Sequence, residues 1–263
     1  MVSRPFDEFE RKSFGDAAAV ICISRAVADS ACEVGALPPE LRDRIWTVPD
    51  ARDLSKYVRG DRARIRAELG IGEDTPLIGM IARIEPMKGQ HVFLEVAALI
   101  AEQMPLARFL LVGDLMDNAN QSYLEKLKRR CDDPRLQGRV MFLGYRNDVP
   151  DILAALDCFA HPSARGAFVS VLIEAMAMGT PLVVSDVDGI PECVGRNGAA
   201  ELVASLEPEV WARAIMEIVL DPARRASMAA AGIERAKRYD AKRLALETER
   251  VFDHCFESTY PRR

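Results

Sequence analysis

The sequence predicts an α/β protein whose parallel sheet carries helices on both faces. From Thr75 onward, short apolar runs alternate with longer stretches in which apolar residues recur at helical spacing. Glycines follow several of these runs, as at Gly113 and Gly179. Such alternation is typical of βαβ units and hence of a parallel sheet. We therefore expect a Rossmann-like domain over residues 56–240.

The first part of the chain has a different pattern and is expected to belong to a second domain. Residues 1–16 are polar and charged, and Phe6, Phe9 and Phe14 are spaced for the inner side of a short helix. One strand–helix–strand run follows, and it cannot form a core of its own. It must pack on the main domain or on a missing neighbour, so residues 1–55 are interpreted as a remnant and linker. The predicted elements are a strand at 17–23, a helix at 24–34 that is capped by Ser24, and a strand at 44–48.

The main domain contains a regular series of predicted elements. Strands are predicted at 76–82, 108–112, 139–143, 157–160, 182–185 and 200–203. Helices are predicted at 61–69, 88–103, 122–131, 149–155 and from Ser170, a candidate N-cap, to Gly179, with further helices between 207 and 256. Residues 241–263 are assigned to a C-terminal helix and tail.

Composition excludes several classes of protein. The chain of 263 residues carries a net charge of −5 without a dominant basic stripe, which argues against binding nucleic acid or an anionic membrane. The six cysteines form no C-x-x-C pair and the three histidines are far apart, so no metal site is expected. No signal peptide is visible, and no apolar run approaches the roughly 18 to 20 residues of a membrane helix. A cytoplasmic protein with reduced cysteines is the simplest interpretation.

The stretch from His161 to Val184 is the strongest candidate for a functional site. Glu174 is its only charged residue after Arg165, within an otherwise apolar helix, and a carboxylate there is costly to bury without a partner. In a parallel sheet, helix N-termini line the crevice that binds ligands, and their amides favour anions. Glu174 would lie about one turn inside such a helix, within reach of a ribose hydroxyl pair. The alternative is a glutamate that faces solvent.

Two further features should converge on the same edge of the sheet. In ARIEPMKG, residues 82–89, Arg83 follows a strand and Lys88 opens the next helix, so the two cations can hold a diphosphate. The alternative is a pair of solvated surface cations. The loop from Gly144 to Asn147 follows another strand, and its backbone could read the edge of a planar base.

Other residues are weaker candidates. His161 begins the loop after a strand and either touches ligand or has a structural role. The D-x-D of residues 186–188 could hold a divalent metal, but the glycine that follows it favours a turn. The sequence contains no G-x-G-x-x-G, no G-x-x-x-x-G-K-[ST] and no G-x-S-x-G, so it lacks the fingerprints of dehydrogenases, P-loop proteins and α/β-hydrolases.

Taken in order, these motifs resemble those of one known family. The series ARIEPMKG at 82–89, LVGD at 111–114, FLG at 142–144, HPS at 161–163, EAMAMGTP at 174–181 and DGIPE at 188–192 is similar to the nucleotide-sugar half of glycosyltransferase family 4, the group 1 glycosyltransferases. The resemblance covers nearly the whole chain. It implies one half of a GT-B architecture, sugar transfer with retention of configuration, and no essential metal.

The resemblance also implies roles for individual residues. Arg83 and Lys88 would bind the diphosphate of the donor, and Glu174 would bind its ribose. The amides near Phe168, Val169 and Ser170 would meet phosphate and sugar.

The chain departs from the family at several positions. The family carries a second glutamate eight positions before Glu174, where this chain has Gly166. That carboxylate normally contacts the transferred sugar. The Phe-Gly pair of the family reads Phe168-Val169, the glycine before the phosphate-binding arginine is Ala82, and the linker motif reads PDARD at residues 49–53. The acceptor domain of the family is almost wholly absent.

We expect this chain to be the donor-binding half of a glycosyltransferase. The donor would be a UDP-, GDP- or ADP-sugar, the acceptor is unknown, and no cofactor is expected. The acceptor domain would come from a separate partner protein or from a longer chain, and any membrane association would occur through the acceptor. The alternative is a non-catalytic nucleotide-sugar-binding or regulatory subunit, and a Rossmann protein with another ligand is third.

Overall fold

The computed structural model describes residues 17–37 and 39–259, and these residues contain two parallel sheets. The predicted helix with Phe6, Phe9 and Phe14 lies outside the described residues. A two-stranded sheet contains β1 (Val20–Cys22) and β2 (Ile45–Thr47). A six-stranded sheet contains β3 (Leu77–Ile81), β4 (Arg108–Val112), β5 (Val140–Gly144), β6 (Cys158–His161), β7 (Leu182–Ser185) and β8 (Glu201–Val203).

Helices connect the strands of the large sheet and cover both of its faces. The α-helices are α1 (Arg25–Glu33), α2 (Arg62–Glu68), α3 (Gln90–Gln103), α4 (Gln121–Arg130), α5 (Val149–Ala155), α6 (Ser170–Ala177), α7 (Ile190–Val194), α8 (Pro208–Val219), α9 (Pro222–Ala236) and α10 (Ala241–Thr259). Short 3₁₀ turns occupy Pro39–Arg44, Leu54–Lys56, Pro86–Lys88, Asn118–Asn120 and Lys237–Tyr239.

The strand order of the large sheet is β5-β4-β3-β6-β7-β8, and all neighbours are parallel. The chain builds outward from β3 to β5, then returns to the other side of β3 and builds outward again from β6. The connections on the two sides therefore diverge between β3 and β6, which creates a crevice at the carboxyl ends of these strands. This arrangement confirms the predicted Rossmann-like α/β fold.

The four inner strands of the large sheet, β3, β4, β6 and β7, are largely buried on both faces, as their continuous apolar sequences predict. In β4, Phe109 and Leu111 belong to the core under α3 and α8, whereas Leu110 and Val112 belong to the core under α5 and α6. Because side chains alternate along a strand, a strand with helices on both faces needs apolar residues at every position. Two apolar cores thus hold the carboxyl edge of the sheet in place.

The N-terminal segment forms a small separate unit that packs on the main domain. Its core joins residues of β1 and α1 with Ala36, Leu37 and Leu41. The carboxylate of Glu192 accepts hydrogen bonds from the amides of Arg25 and Ala26, at 2.9 and 2.8 Å. These amides are the first of α1, where the helix has donors without intrahelical partners. Trp46 also lies against His254 of α10, with ring centroids 5.2 Å apart.

Most predicted helices and strands are present, with shifts of a few residues at their ends. Ser24 caps α1 by accepting a hydrogen bond from the Val27 amide, as predicted. The prediction of Ser170 as an N-cap is wrong, because Val169 occupies the cap position and Ser170 begins α6. Lys88 lies in a 3₁₀ turn before α3 rather than in the helix. Helix α7 replaces part of the predicted DGIPE turn, since a proline is tolerated in the first turn of a helix.

Candidate functional site

A cleft of about 800 Å³ opens at the carboxyl edge of the large sheet. It lies beyond the ends of β3, β4 and β6, where the topology places a crevice. Six residues that the sequence analysis selected line it, namely Arg83, Lys88, His161, Val169, Ser170 and Glu174. A second concavity of about 500 Å³ lies between α1 and β2, away from these strand ends.

Arg83 and Lys88 stand on one wall of the cleft, with Glu85 beside them. Arg83 is about half exposed, with 53% of its side chain accessible, and its Nη1 lies 2.9 Å from Oε1 of Glu85. Burial lowers the pKa of Lys88, and the charge of Arg83 acts in the same direction, while Glu85 opposes them. Two close cations share one carboxylate here, so an anionic ligand would find positive charge that is only partly compensated.

Backbone contacts hold the Lys88 turn against the loop after β6. Ser163 Oγ and the Ala164 amide both donate to the Met87 carbonyl, at 2.9 Å each. Gly89 has φ +82, and a Cβ at this position would collide with the Pro162 carbonyl. Only glycine accommodates both the left-handed backbone and this approach. The turn that carries Lys88 and the loop that follows His161 are therefore fixed relative to each other.

His161 is a buried histidine on the floor of the cleft. Its side chain is 1% exposed, and neither Nδ1 nor Nε2 has a hydrogen-bond partner within the described part of the chain. Burial lowers the pKa of His161 to about 3, and the charge of Lys88 contributes. The ring is neutral at physiological pH, so it offers one donor and one acceptor. Buried polar groups normally have hydrogen-bond partners, and a ligand in the cleft would supply one to the His161 ring.

Glu174 is paired with a cation rather than turned to solvent. Its side chain is 13% exposed, and Oε1 accepts a hydrogen bond of 2.8 Å from Nε of Arg52. Arg52 belongs to the PDARD segment that follows the N-terminal unit. The solvent-facing alternative for Glu174 is therefore wrong. The sequence analysis expected a partner for a buried carboxylate but missed Arg52, which lies 122 residues away.

The loop before α6 places its predicted residues differently. Val169 and Ser170 line the cleft, whereas Gly166 and Phe168 do not. Phe168 packs edge-on against Tyr239, with centroids 5.4 Å apart. A Cβ at Gly166 would lie 2.8 Å from Cδ1 of Ile190, so this position faces the side chains of α7.

The loop after β5 contributes side chains that the sequence analysis did not select. Tyr145 and Arg146 line the cleft, but the predicted residues on either side of them, Gly144 and Asn147, do not. Arg146 is held by Glu68 and Asp148 at 2.6 and 2.7 Å. The Tyr145 ring is 73% exposed at the rim. An exposed aromatic ring next to a cleft is suited to stack on a nucleotide base. The signal available in the sequence was a tyrosine shortly after a predicted strand.

The D-x-D of residues 186–188 forms a turn. Asp186 makes a bidentate pair with Arg196, and Asp188 Oδ2 accepts a hydrogen bond from the Gly166 amide. Among the residues that the structure describes, no group of three or more His, Cys, Asp or Glu side chains is arranged to hold a metal ion. Within the same residues, no helix is long and apolar enough to cross a membrane.

The fold of this chain is similar to that of solved GT-B glycosyltransferase structures. Crystal structures of HepE from Anabaena, in complex with UDP and glucose and with UDP-glucose, superpose on this chain with a TM-score of 0.80 at 27% and 28% identity. They cover 90% of this chain and 62% and 63% of HepE. Sucrose-phosphate synthase from Thermosynechococcus elongatus gives a TM-score of 0.79 at 25% identity, over 92% of this chain and 59% of the synthase. The chain has the fold of a GT-B glycosyltransferase half.

Sequence comparison leads to the same group of proteins. D-inositol 3-phosphate glycosyltransferase of Segniliparus rotundus is 32% identical over 222 residues, 82% of this chain and 49% of the relative. The corresponding protein of Nocardia farcinica is 34% identical over 68% of this chain and 41% of the relative. The chain thus spans about half the length of the curated relatives it matches. The model of one family, described as glycosyl transferases group 1, matches residues 61–235, well over half of the chain, and the chain therefore belongs to the group 1 glycosyltransferases.

Proposed function

We propose that this chain binds a UDP-sugar in the cleft at the carboxyl edge of its large sheet and provides the donor-binding half of a glycosyltransferase. The observation that carries the proposal is the meeting of Arg83, Lys88 and Glu174 in one cleft at the topological switch point. Two cations suit a diphosphate, and a carboxylate suits a pair of ribose hydroxyls. The structures of HepE with UDP and UDP-glucose, at 27% and 28% identity, support uracil as the base.

The proposed reaction needs stabilisation of a leaving group more than it needs a protein nucleophile. The bond from C1 of the sugar to the β-phosphate oxygen breaks, and UDP leaves with the electron pair. An acceptor hydroxyl oxygen bonds to C1 and gives its proton to the departing diphosphate. Negative charge grows on the diphosphate as its bond to C1 breaks. Arg83 and Lys88 would stabilise that charge, Arg83 by exchanging Glu85 for phosphate oxygens. Retention of configuration and independence of a metal are parts of this proposal, and no cofactor is included.

The acceptor requires a second structural unit in this proposal. The chain spans about half the length of its relatives, 49% of that from Segniliparus rotundus. The proposed cleft lies in the large sheet, whereas the N-terminal unit has only the two strands β1 and β2. A longer form of the chain or a partner protein would supply the acceptor-binding surface.

A second function is favoured by one observation at Gly166. The family carries a carboxylate at this position that contacts the transferred sugar, and here a side chain would meet Ile190 and Val169 at 2.8 and 3.1 Å. The neighbouring side chains leave no room for a side chain at position 166. A carboxylate could therefore be introduced there only if Ile190 or Val169 moved. A subunit that binds the nucleotide sugar without transferring the sugar is the alternative proposal.

Calorimetric titration of the chain with UDP, GDP and ADP tests the binding function. We expect saturable binding of UDP, weakened by Arg83→Ala and by Glu174→Ala. Arg213→Ala and Glu209→Ala, which remove exposed side chains on α8, serve as matched controls and should bind like the original chain. The Arg83 variant should lose more affinity for UDP than for UMP, because the second phosphate is the group it is proposed to hold. Absence of UDP binding would refute the proposal.

A transfer assay separates the enzyme from the binding subunit. The chain would be mixed with an acceptor domain, taken from a longer form of the same protein or from a protein encoded by a neighbouring gene. Release of UDP from UDP-glucose would then be measured. Release that depends on acceptor and disappears in Arg83→Ala supports the transferase. Tight binding of UDP-glucose without release supports the subunit.

A further inference from the structure

Arg52 reaches the cleft from a backbone segment that is fixed on both sides. Its amide donates to the Tyr239 carbonyl at 2.9 Å, and its carbonyl accepts from the Ala241 amide at 2.9 Å. This short parallel bridge joins the segment after the N-terminal unit to the junction before α10. The side chain of Arg52 therefore starts from a defined point, and its direction is set by the contacts that it makes.

Those contacts form a closed set of hydrogen bonds with α6. Arg52 Nε donates to Glu174 Oε1 at 2.8 Å, and Nη1 donates to the Ala51 carbonyl at 2.8 Å and to Asp50 Oδ2 at 3.2 Å. The same Asp50 oxygen accepts from Ser170 Oγ at 2.5 Å. Ser170 and Glu174 are neighbours on one face of α6, four residues apart. The helix is thus bound at two successive turns by one segment.

We propose that Arg52 is a positioning residue for nucleotide recognition, which holds the Glu174 carboxylate oriented to accept hydrogen bonds from the ribose hydroxyls of the donor. This inference rests on the proposed function and adds a residue to it. A carboxylate has two oxygens and about four acceptor positions, of which the Arg52 Nε–H uses one and the Tyr57 hydroxyl, which also hydrogen-bonds to Glu174, uses another. Acceptor capacity for a pair of hydroxyls remains beside those two contacts.

Burial explains why Glu174 needs this cation. With 13% of its side chain exposed, Glu174 is largely removed from water, and an unpaired charge there would be unfavourable. Arg52 is only 30% exposed, so solvent screens the pair less than it would at the surface. Tyr57 lies beside the same carboxylate. Burial and the charge of Glu174 raise the pKa of Tyr57 to about 12, so its side chain is neutral. Arg52 is therefore the cation that compensates Glu174.

The competing interpretation is that Arg52 blocks the ribose position and must leave when ligand binds. The contacts argue against it, because Nη1 is engaged with Asp50 and the Ala51 carbonyl, both in the linker rather than across the cleft. The two interpretations predict opposite changes in nucleotide affinity when Arg52 is replaced. Loss of a blocking side chain tightens nucleotide binding, whereas loss of a positioning side chain weakens it.

The test measures the dissociation constants of UDP and of 2′,3′-dideoxy-UDP by calorimetry. Arg52→Gln should weaken UDP about tenfold, the size of one charge-assisted hydrogen bond. The same variant should change the dissociation constant of the dideoxy analogue by less than about twofold, since that ligand has no hydroxyls to read. Arg52→Lys, which keeps the charge, should recover part of the affinity. Arg59→Gln removes an exposed arginine of the same linker and is the matched control.

A second comparison guards against a general loss of structure. Glu174→Gln and the double variant with Arg52→Gln should bind UDP equally, because Arg52 is proposed to act only through Glu174. Equal weakening of UDP and the dideoxy analogue in Arg52→Gln overturns the inference, and so does tighter or unchanged UDP binding. In these cases binding by the original chain leaves the proposed function in place. If the original chain does not bind UDP, both fail together.

Discussion

The Gly166 amide donates a hydrogen bond of 3.0 Å to Oδ2 of Asp188. The Gly189 amide donates in return to the Gly166 carbonyl at 2.9 Å. Asp188 has φ 51 and, in the described part of the chain, is the one residue other than glycine with a positive φ. These contacts fasten the loop before α6 to the start of α7, at the position where the family resemblance leads one to expect a carboxylate side chain.

Gly166→Ala is expected to destabilise the chain by about 1–3 kcal/mol, the range for inserting a methyl group into a packed site. Gly166 has no left-handed backbone, so the cost is steric and arises from Cδ1 of Ile190 at 2.8 Å and Cγ2 of Val169 at 3.1 Å. Denaturant unfolding measures it. Because Ile190→Val removes Cδ1, the double variant should lose less than the sum of the single losses. Strict additivity would show that the clash is relieved elsewhere.

Arg66→Met is expected to destabilise the chain by about 3–5 kcal/mol, because it leaves the carbonyls of Gly72, Glu73, Thr75 and Ala155 without their shared buried donor and removes one of the two arginine partners of Asp157. Arg66 is 1% exposed and donates to Asp157 Oδ2 at 2.8 Å and to the Gly72 carbonyl at 2.6 Å, among other oxygens. Arg243→Ala, which removes an exposed pair with Glu247, should cost less than about 1 kcal/mol. Similar unfolding midpoints for the two variants would contradict the buried role of Arg66.

Local sequence patterns were sufficient to predict the fold class and most of the helices and strands. The apolar run of β4 and the glycine after α6 each follow from local physics, burial on both faces and helix termination. The order of the strands does not follow from such patterns, because pairing of β3 with β6 joins segments about 80 residues apart and depends on the packing of both helix layers.

The site could be predicted only in part for the same reason. Arg83, Lys88 and Glu174 stand at strand and helix ends, where general rules place ligands. Arg52 stands in a polar linker, and nothing local distinguishes it from Arg59 until the bridge to Asp240 fixes its backbone. Ser170 resembles an N-cap in sequence, but its hydroxyl donates to Asp50 instead, which lies 120 residues away.

His161 should make the stability of the chain depend on pH. Its pKa is lowered to about 3 in the folded chain, whereas an unfolded histidine titrates near 6.5. Between these values the unfolded state binds the extra proton, so the stabilisation is fully present above about pH 6.5 and is lost as the pH falls toward 3. The free energy of unfolding of His161→Gln should have a slope against pH that is smaller by up to about 1.4 kcal/mol per pH unit. Above about pH 8 the variant and the original chain should have the same slope, which is the internal control.

Tyr145→Ala is expected to weaken UDP binding by about 1–3 kcal/mol, the range for one base stacked on an aromatic ring. The ring is 73% exposed at the rim of the cleft, so its removal should leave the core and the unfolding midpoint unchanged. Tyr145→Phe keeps the ring and should bind UDP like the original chain. Inorganic pyrophosphate has no base, and its affinity, measured by the same titration, should not respond to either substitution. If pyrophosphate and UDP are weakened alike by Tyr145→Ala, the ring acts on the phosphate side of the cleft and the stacking role is wrong.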